Sequence, residues 1–526
     1  MCGIFFVNNS PLDPLFIENE FKKGSARGPD SSKLLEVKKS YIGFHRLAIN
    51  GLSESGMQPF NKHHCYLICN GEIYNHVELY RDLKNKPISK SDCEVILDLY
   101  IEFGIDYTCR VLDGVFAFVL YDLSKNVIYY ARDPLGVRPL YYYHNNGVTG
   151  AASEVKTLVR FHNSINQFFS GCYAVLKNNS IDIYKFFEIV NTRVIYSTSY
   201  DYNYYTNLIR TNLVESVKKR LMSERPVACL LSGGLDSSLI TSIVVKLLKE
   251  QKVKTFSIGL KDSTDLKYAR EVAKYLDTDH SELILNEEDF FNAIPGVINI
   301  IESYDTTTVR ASVGNYLISR YISEKCDSKV IFNGDGADEL TGGYLYFHNS
   351  PSKLHSDFET TRLLKDICYF DVLRSDKCIS SCGLEPRTPF LDKSFVTCYR
   401  SIPLNFRFQP GQIEKKLLRD SFPGYLPDNV LYRTKEAFSD GVSSVDRSWF
   451  KIIEEKVKYL KMPNLSTIFT LNTPYTKEQE YYRYIFTQYY PYLESIVPYF
   501  WMPKWSNTTD PSARTIEYLN TDTHIS

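Results

Sequence analysis

The sequence predicts two domains of different class, an α+β domain followed by an α/β domain with a parallel sheet. Apolar, strand-like runs follow one another through about the first 190 residues with few helical segments between them. Beyond about residue 200, such runs alternate with helical stretches, and polar motifs rich in glycine follow several of them. We therefore expect domains at residues 2–190 and 200–526, joined by a linker near residues 185–205.

The composition is that of an ordinary soluble globular protein. Of the 526 residues, 44% are hydrophobic and 23% are charged, and the formal net charge is −1. This charge gives no reason to expect nucleic acid or an acidic membrane as a partner. The 12 cysteines form no Cys-x-x-Cys pair, and there is no apolar run of about 18 residues. We therefore expect a reducing, cytoplasmic location and no membrane span.

Residues 229–238 form the motif on which the second domain depends. An apolar run ends in Ser-Gly-Gly-Leu-Asp-Ser-Ser, residues 232–238, and an apolar-periodic helix follows. The two glycines allow a sharp bend and a close approach to a ligand, and the amides of the helix start face the loop. An anion is the ligand that this arrangement favours. The alternative is an ordinary strand–turn–helix of a doubly wound sheet.

Two more strand ends predict that this loop belongs to a larger site. Residues 254–260 and 329–332 read as short buried strands, and Asn-Gly-Asp-Gly-Ala-Asp-Glu, residues 333–339, follows the second one. Because the carboxyl ends of parallel strands meet at one edge of a sheet, we expect these motifs to converge.

The N-terminus contains a candidate nucleophile. Cys2 precedes a strand-like run at residues 3–7. Removal of Met1 would leave a thiol and a free α-amine on one residue, and this amine, with a reference pKa of about 7.7–8.0, can act as a base near neutral pH. A cysteine at this position also arises by chance, so the interpretation depends on the segments that follow.

Those segments are RGPD, HRL, NGEIYN, SDCE, DGVFAFVLYD, RDPLGVRPLYY and ASEVK, in this order after the initial CGIF. As a set they resemble the class II glutamine amidotransferases, whose fold is an N-terminal-nucleophile αββα sandwich. The resemblance covers roughly residues 2–190. It implies that Cys2 forms a glutamyl thioester and that Asn70 and Gly71 form the oxyanion hole.

The same resemblance implies a binding site for glutamine. Arg46 would take the substrate carboxylate, which suits a guanidinium fork, and Glu72 and Asp92 would surround the α-amine. The alternative for Arg46 and Asp92 is a surface ion pair. The full implied set comprises Arg46, Leu47, Ala48, Ile49, Asn50, Asn70, Gly71, Glu72 and Asp92.

Residues 232–238 resemble the SGGxDSS loop of the N-type ATP-pyrophosphatases, which holds the β- and γ-phosphates of ATP. With GGYLYFH, EPRTPFLD and RTKEAFSDG further along, nearly the whole chain is similar to the glutamine-hydrolysing asparagine synthetase family. The resemblance implies Mg²⁺ bound by Asp236 and Asp338, although Lys435 could instead be a solvated lysine in a charged loop. The implied ATP-binding residues are Leu230, Ser232, Gly234, Asp236, Ser237, Ile258, Asn333, Gly334 and Lys435.

Asp335 departs from the family pattern. The family typically has Ser-Gly-Glu-Gly-Ser-Asp-Glu where this chain has Asn-Gly-Asp-Gly-Ala-Asp-Glu, and its glutamate is associated with forming and consuming β-aspartyl-AMP. Asp335 is one methylene shorter, and we assign it a catalytic role. The alternative is that Asp335 caps the helix that follows it.

The implied function is glutamine-dependent asparagine synthesis from aspartate and ATP through β-aspartyl-AMP, with release of AMP and pyrophosphate. A homodimer is a possible assembly. One alternative is a related ATP-dependent amidotransferase or an enzyme like β-lactam synthetase, which would need no glutaminase. Another is a non-catalytic homologue that binds the same ligands, which Asp335 keeps open. The polar segment from about residue 505 is expected to be frayed or disordered.

Overall fold

The computed structural model describes residues 1–189, 201–462 and 471–515. The expected linker lies partly outside these residues. The helices of the first part are α1 (Pro14–Lys22), α2 (His76–Asp82), α3 (Val95–Phe103) and α4 (Ile105–Val111). Its strands are β1 (Gly3–Asn8), β2 (Ser31–Val37), β3 (Ser40–Arg46), β4 (Phe60–Lys62), β5 (Cys65–Ile73), β6 (Gly114–Asp122), β7 (Val127–Arg132), β8 (Tyr141–Asn145), β9 (Val148–Ala152), β10 (Asn166–Gln167), β11 (Cys172–Lys177) and β12 (Ser180–Lys185).

Two six-stranded sheets, in the orders β10-β8-β9-β1-β3-β2 and β12-β11-β7-β6-β5-β4, form the centre of the first part. Every neighbouring pair of strands is antiparallel. Phe6 of β1 and Ile68 of β5 pack in the layer between the sheets. Leu97 of α3 covers the outer face of one sheet and Phe21 of α1 that of the other. The predicted αββα sandwich is therefore confirmed.

The second part is an α/β domain. Its strands are β13 (Val227–Leu230), β14 (Lys254–Leu260), β15 (Asp279–Leu285), β16 (Val330–Phe332) and β17 (Glu385–Arg387). Its helices are α5 (Tyr202–Lys219), α6 (Leu235–Leu248), α7 (Thr264–Leu276), α8 (Glu287–Ile301), α9 (Thr306–Lys325), α10 (Ala337–Thr341), α11 (Lys353–Asp366), α12 (Asp371–Ser380), α13 (Lys393–Ser401), α14 (Leu404–Arg407), α15 (Lys416–Asp420), α16 (Asp428–Leu431), α17 (Phe438–Gly441), α18 (Trp449–Val457) and α19 (Lys477–Tyr489).

Its five strands pair in parallel in the order β15-β14-β13-β16-β17, so the expected parallel sheet is confirmed. The sequence patterns missed β15 and β17, the two edge strands. β15 is only partly buried and has polar residues along its length. β17 contains Pro386, a residue that cannot donate a ladder hydrogen bond and is therefore confined to sheet edges.

The expectation of a frayed C-terminus from residue 505 is wrong for residues 505–515. Ser512 is 4% exposed, and its Oγ donates to Asp440 at 2.7 Å. The polar composition misled the prediction because these polar groups are bonded to buried partners rather than to water. Residues 516–526 lie outside the described chain.

Buried ion pairs join the two parts of the molecule. Arg27 donates to Asp376 of α12 at 2.7 Å, and Arg138 donates to the same carboxylate at 3.1 Å. Nη2 of Arg387 in β17 lies 3.4 Å from Oε2 of Glu72. Within the described ranges, no helix combines the length and the hydrophobicity needed to cross a bilayer.

Candidate active sites

The first candidate site surrounds Cys2, which immediately precedes β1. Its Sγ donates to the Leu47 carbonyl at 3.6 Å, and Arg27 donates to its backbone carbonyl at 3.0 Å. With Met1 in place, burial raises the pKa of the Cys2 thiol to about 12. Because a thiolate is the reactive form, a thiol with this pKa is a poor nucleophile at neutral pH. Removal of Met1, which the predicted role of Cys2 assumes, would supply an amine base on the same residue.

Asn70 of β5 has a side chain that the rest of the site leaves unsatisfied. It is 0% exposed, yet its Nδ2 and Oδ1 have no hydrogen-bond partner. Leaving a buried polar group unpaired costs about 1–3 kcal/mol. A substrate oxyanion would accept from Nδ2, so the orphaned amide fits the predicted oxyanion hole. A Cβ on the adjacent Gly71 would lie 2.5 Å from the Val115 carbonyl oxygen, which leaves room only for glycine.

Arg46 is held by the loop that follows β3. Its Nη1 donates to the Ser53 carbonyl at 2.9 Å, and its Nη2 donates to the Gly51 carbonyl. Arg46 is 5% exposed and Asp92 is 3% exposed, so the alternative of a surface ion pair is wrong.

The other residues predicted to bind glutamine lie next to Arg46. Leu47, Ala48 and Ile49 have buried side chains, and Asn50 Nδ2 donates to Glu72 at 2.7 Å.

Two buried carboxyl groups in this site lack sufficient positive charge. Burial, Asp92 and Glu385 raise the pKa of Glu72 well above its usual range, against the opposing effect of Arg387. Burial also raises the pKa of Asp92, although the Ile73 amide donates to it at 2.6 Å and opposes the shift. A cationic group placed between them would stabilise both ionised forms. The α-ammonium of an amino acid meets this requirement.

The second candidate site is an open cavity at the carboxyl edge of the parallel sheet. Its walls come from the ends of β13, β14 and β16, so the predicted convergence of these motifs is confirmed. The lining includes Asp335, Asp338 and all the predicted ATP-binding residues, namely Leu230, Ser232, Gly234, Asp236, Ser237, Ile258, Asn333, Gly334 and Lys435. Their roles toward ATP remain predictions.

The loop before α6 has the geometry of an anion site. Gly233 has φ of +74°, and a Cβ there would lie 2.5 Å from the Ala269 amide nitrogen. Gly234 is the N-cap, and no side chain bonds to the first turn of the helix. Ser232 and Ser237 are joined through their hydroxyl oxygens at 2.9 Å. The uncapped helix start therefore leaves amide donors for an anion, which an ordinary strand–turn–helix would not require.

Two carboxylates and two ammonium groups meet beside this loop. Lys415 Nζ lies 2.6 Å from both Asp236 and Asp338, and Lys435 Nζ lies 2.6 Å from Asp338. Burial raises the pKa of Asp338, but Lys415 and Lys435 outweigh it and hold the value at about 2. The Lys435 side chain is 19% exposed, so the alternative of a solvated lysine is wrong.

This arrangement fits the predicted Mg²⁺ site. Asp236 and Asp338 already share one cation, the Lys415 ammonium, so their oxygens converge closely enough for a divalent ion. In the described part of the chain, no group of three or more His, Cys, Asp or Glu residues could hold a metal ion. Mg²⁺ is commonly bound by one or two carboxylates together with substrate phosphates, and the nucleotide would supply the missing oxygens here.

Asp335 is ion-paired rather than capping a helix. Arg374 donates to its Oδ1 at 2.9 Å and also donates to Asp371. The next helix, α10, has Gly336 as its N-cap and no side-chain hydrogen bond there. The capping alternative is therefore wrong.

The sequence patterns missed Lys415 and Arg374. Lys415 lies in a Glu-Lys-Lys run without periodicity, and it has a φ of +58° just before α15. Arg374 is one of several charged residues on an amphipathic helix, where exposure is the ordinary expectation. Only the tertiary structure shows that each pairs with two carboxylates.

The fold and the two sites define a class, the amidotransferases in which a glutaminase domain is joined to an ATP-dependent synthetase domain. The family model for the glutamine amidotransferase domain matches residues 1–192, and the one for asparagine synthase matches residues 208–366 and 351–468.

Curated relatives make the assignment specific. The glutamine-hydrolysing asparagine synthetases of Homo sapiens and Gallus gallus are each 42% identical to this chain over 556 residues, which covers 98% of this chain and 99% of theirs. The chain belongs to the family of glutamine-hydrolysing asparagine synthetases. Among solved structures, the allosteric regulatory enzyme of purine biosynthesis is 15% identical over 54% of this chain and 80% of its own, and its TM-score of 0.33 is too low to support a conclusion.

Proposed function

We propose that the chain hydrolyses glutamine at the Cys2 site and uses the ammonia to make asparagine from aspartate and ATP at the cavity of the parallel sheet. The single observation that carries the proposal is a buried contact between the first site and the parallel sheet of the second domain. Glu72 of the first site lies 3.4 Å from Arg387 of β17, in the sheet that builds the second site. Glutamine binding and synthesis would therefore share a buried boundary through which ammonia passes.

In the glutaminase reaction, the α-amine of processed Cys2 takes the thiol proton as the sulfur attacks the amide carbon of glutamine. Nδ2 of Asn70 would donate to the oxyanion that forms. Arg46 would bind the α-carboxylate, and Glu72 and Asp92 would bind the α-ammonium. Ammonia leaves from the tetrahedral intermediate, and water then releases glutamate from the thioester.

In the synthetase reaction, an oxygen of the aspartate β-carboxylate attacks the α-phosphorus of ATP, and the bond to pyrophosphate breaks. Lys435, Lys415 and the amides at the start of α6 would hold the phosphates. Bound Mg²⁺, held by Asp236 and Asp338, would supply positive charge to the departing pyrophosphate. Ammonia then attacks the acyl carbon of β-aspartyl-AMP, AMP leaves, and Asp335 would orient ammonia or take its proton.

We also propose that the protein is cytoplasmic and forms a homodimer. The cytoplasmic location is supported by the scattered cysteines, all of which are free thiols.

The first test concerns Cys2. Cys2→Ala is expected to lower glutamine-dependent asparagine formation by on the order of 10⁴-fold or more, while ammonia-dependent formation stays near the wild-type rate, because the thiol serves only the glutaminase. Asparagine is quantified with each nitrogen donor. Cys398→Ala, which removes another half-buried thiol, is the control and should leave both rates unchanged. Equal losses with both donors would contradict the two-site assignment.

The second test concerns Asp236. Asp236→Asn removes one charge from the proposed Mg²⁺ site, and we expect pyrophosphate release to fall by about 10²-fold or more with either nitrogen donor. Glutaminase activity should persist. Asp277→Asn makes the same chemical change at a side chain that is 89% exposed and serves as the control. Normal ATP turnover in Asp236→Asn would remove Asp236 from the site.

The third test asks whether the Asp335 carboxylate takes part in catalysis. Asp335→Ala and Asp335→Asn are expected to lower asparagine formation from ammonia by about 10²–10⁴-fold, the range for a positioned acid or base. Asp335→Glu should retain much of the rate, because it keeps the carboxylate and its pairing with Arg374. An active Asp335→Asn enzyme would show that the carboxylate has no catalytic role. A wild-type chain that releases no pyrophosphate would favour the non-catalytic homologue.

A further inference from the structure

Residues 499–515, here called the C-terminal strap, lie beside the synthetase cavity. Trp501, Pro503, Pro511 and Ala513 of the strap line a second cavity. This cavity adjoins the ATP cavity, since the two share Thr307, Ala311, Tyr344, Asp371, Arg374, Ala437 and Ser439. The strap therefore forms part of the wall of a cavity that adjoins the proposed reaction centre.

Buried polar contacts hold the strap in place. Asp510 accepts from Arg310 of α9 at 2.7 and 2.9 Å, and Ser512 Oγ donates to Asp440 at 2.7 Å. Arg310 is 4% exposed and Asp440 is 1% exposed. Arg310 also pairs with Glu478, and the contacts of Asp510 and Ser512 attach the strap to the domain.

The last contact of the strap reaches the loop that contains Lys435. Arg514 Nε donates to Glu436 Oε1 at 3.1 Å, and its Nη2 donates to the same carboxylate. Nη1 of Arg514 donates to the Ser444 carbonyl at 2.7 Å. The guanidinium thus joins both ends of residues 436–444, a geometry that lysine cannot reproduce with its single nitrogen.

Glu436 is linked through Arg433 to the loop at residues 232–238, which is expected to bind the phosphates. It accepts from Thr264 Oγ1 at 2.7 Å and from Arg433 Nη2 at 2.9 Å. Arg433 Nη1 in turn donates to the Gly233 carbonyl at 3.2 Å. Lys435, directly before Glu436, extends to Asp338 at 2.6 Å. The strap is therefore connected through one carboxylate to the loop expected to hold the phosphates.

The negative charge of Glu436 matters for ATP binding in the proposed site. Glu436 lines the ATP cavity, where an uncompensated carboxylate would repel the phosphates. Arg514 and Arg433 neutralise it from opposite sides. The nearby Asp265 also lines the cavity, and burial raises its pKa to about 7, against the opposing effect of Arg433 and with a further contribution from Glu436. Removal of Arg514 would leave the Glu436 carboxylate less well neutralised in the lining of the ATP cavity.

We propose that Arg514 is a positioning residue for the synthetase reaction. By binding Glu436, the strap holds the loop at residues 433–441 against the ATP cavity, keeps Lys435 directed at the phosphates and cancels a carboxylate that faces them. The inference rests on the proposed function, because it takes ATP as the ligand of this cavity.

The test uses the full chain with Arg514→Ala and Arg514→Lys. For Arg514→Ala we expect the Kd for ATP, measured by calorimetry with Mg²⁺, to rise about 10- to 100-fold, the range for a lost charge-assisted pair. The KM for ATP in the ammonia-dependent reaction should rise in parallel. Arg514→Lys should recover part of the loss because it restores the charge. Glutaminase activity should change little, because the Cys2 site lies in the other domain.

Two further variants make the outcome specific. Arg447→Ala removes an exposed arginine that pairs with two carboxylates, Glu287 and Glu455, and should leave the Kd for ATP unchanged. Glu436→Gln combined with Arg514→Ala should bind ATP more tightly than Arg514→Ala alone, because the unpaired carboxylate is gone.

An unchanged Kd for ATP in folded Arg514→Ala would overturn the inference, and so would equal losses of glutaminase and synthetase activity. If wild type binds ATP but makes no asparagine, the proposed function fails, whereas the calorimetric comparison still decides the role of Arg514.

Discussion

The structure depends on charges that are buried where the two domains meet and must be paired there. Asp376 receives Arg27 at 2.7 Å and Arg138 at 3.1 Å, and breaking such a pair typically costs about 3–5 kcal/mol. Asp376 lies on α12, whose first turns contain Asp371 and Arg374 in the wall of the synthetase cavity. Arg27 also donates to the Cys2 carbonyl. One helix therefore extends from the neighbourhood of one site to the wall of the other.

The two sites differ in how their buried carboxyl groups are neutralised. In the glutaminase site, burial raises the pKa values of Glu72 and Asp92, so the protein leaves a place for an ammonium group. In the synthetase site, Lys415 and Lys435 already neutralise Asp236 and Asp338, so Mg²⁺ and the phosphates would rearrange existing ion pairs. Under the proposed function, charge complementarity as well as cavity shape would separate the two ligand classes.

The sequence predicted the elements that have a clear local pattern, such as an apolar strand or a glycine-rich motif at a strand end. The strand at residues 254–260 agrees with β14 at both ends, and the motifs at three strand ends line one cavity. β17 was missed because Pro386 is unusual in a strand. Lys415, Arg374 and Arg514 were missed because each pairs with at least one carboxylate that is distant along the chain. For the same reason, the polar segment at residues 505–515 was mistaken for a frayed terminus.

Under the proposed function, ammonia made at Cys2 passes to the synthetase cavity through the buried interface. The most direct measurement supplies glutamine labelled with ¹⁵N in the amide together with unlabelled ammonium in excess, and follows the ¹⁵N content of the asparagine formed. If ammonia travels inside the protein, the labelled fraction of asparagine will exceed that of the ammonia pool in solution. Asparagine with the isotopic composition of the solution would contradict the account.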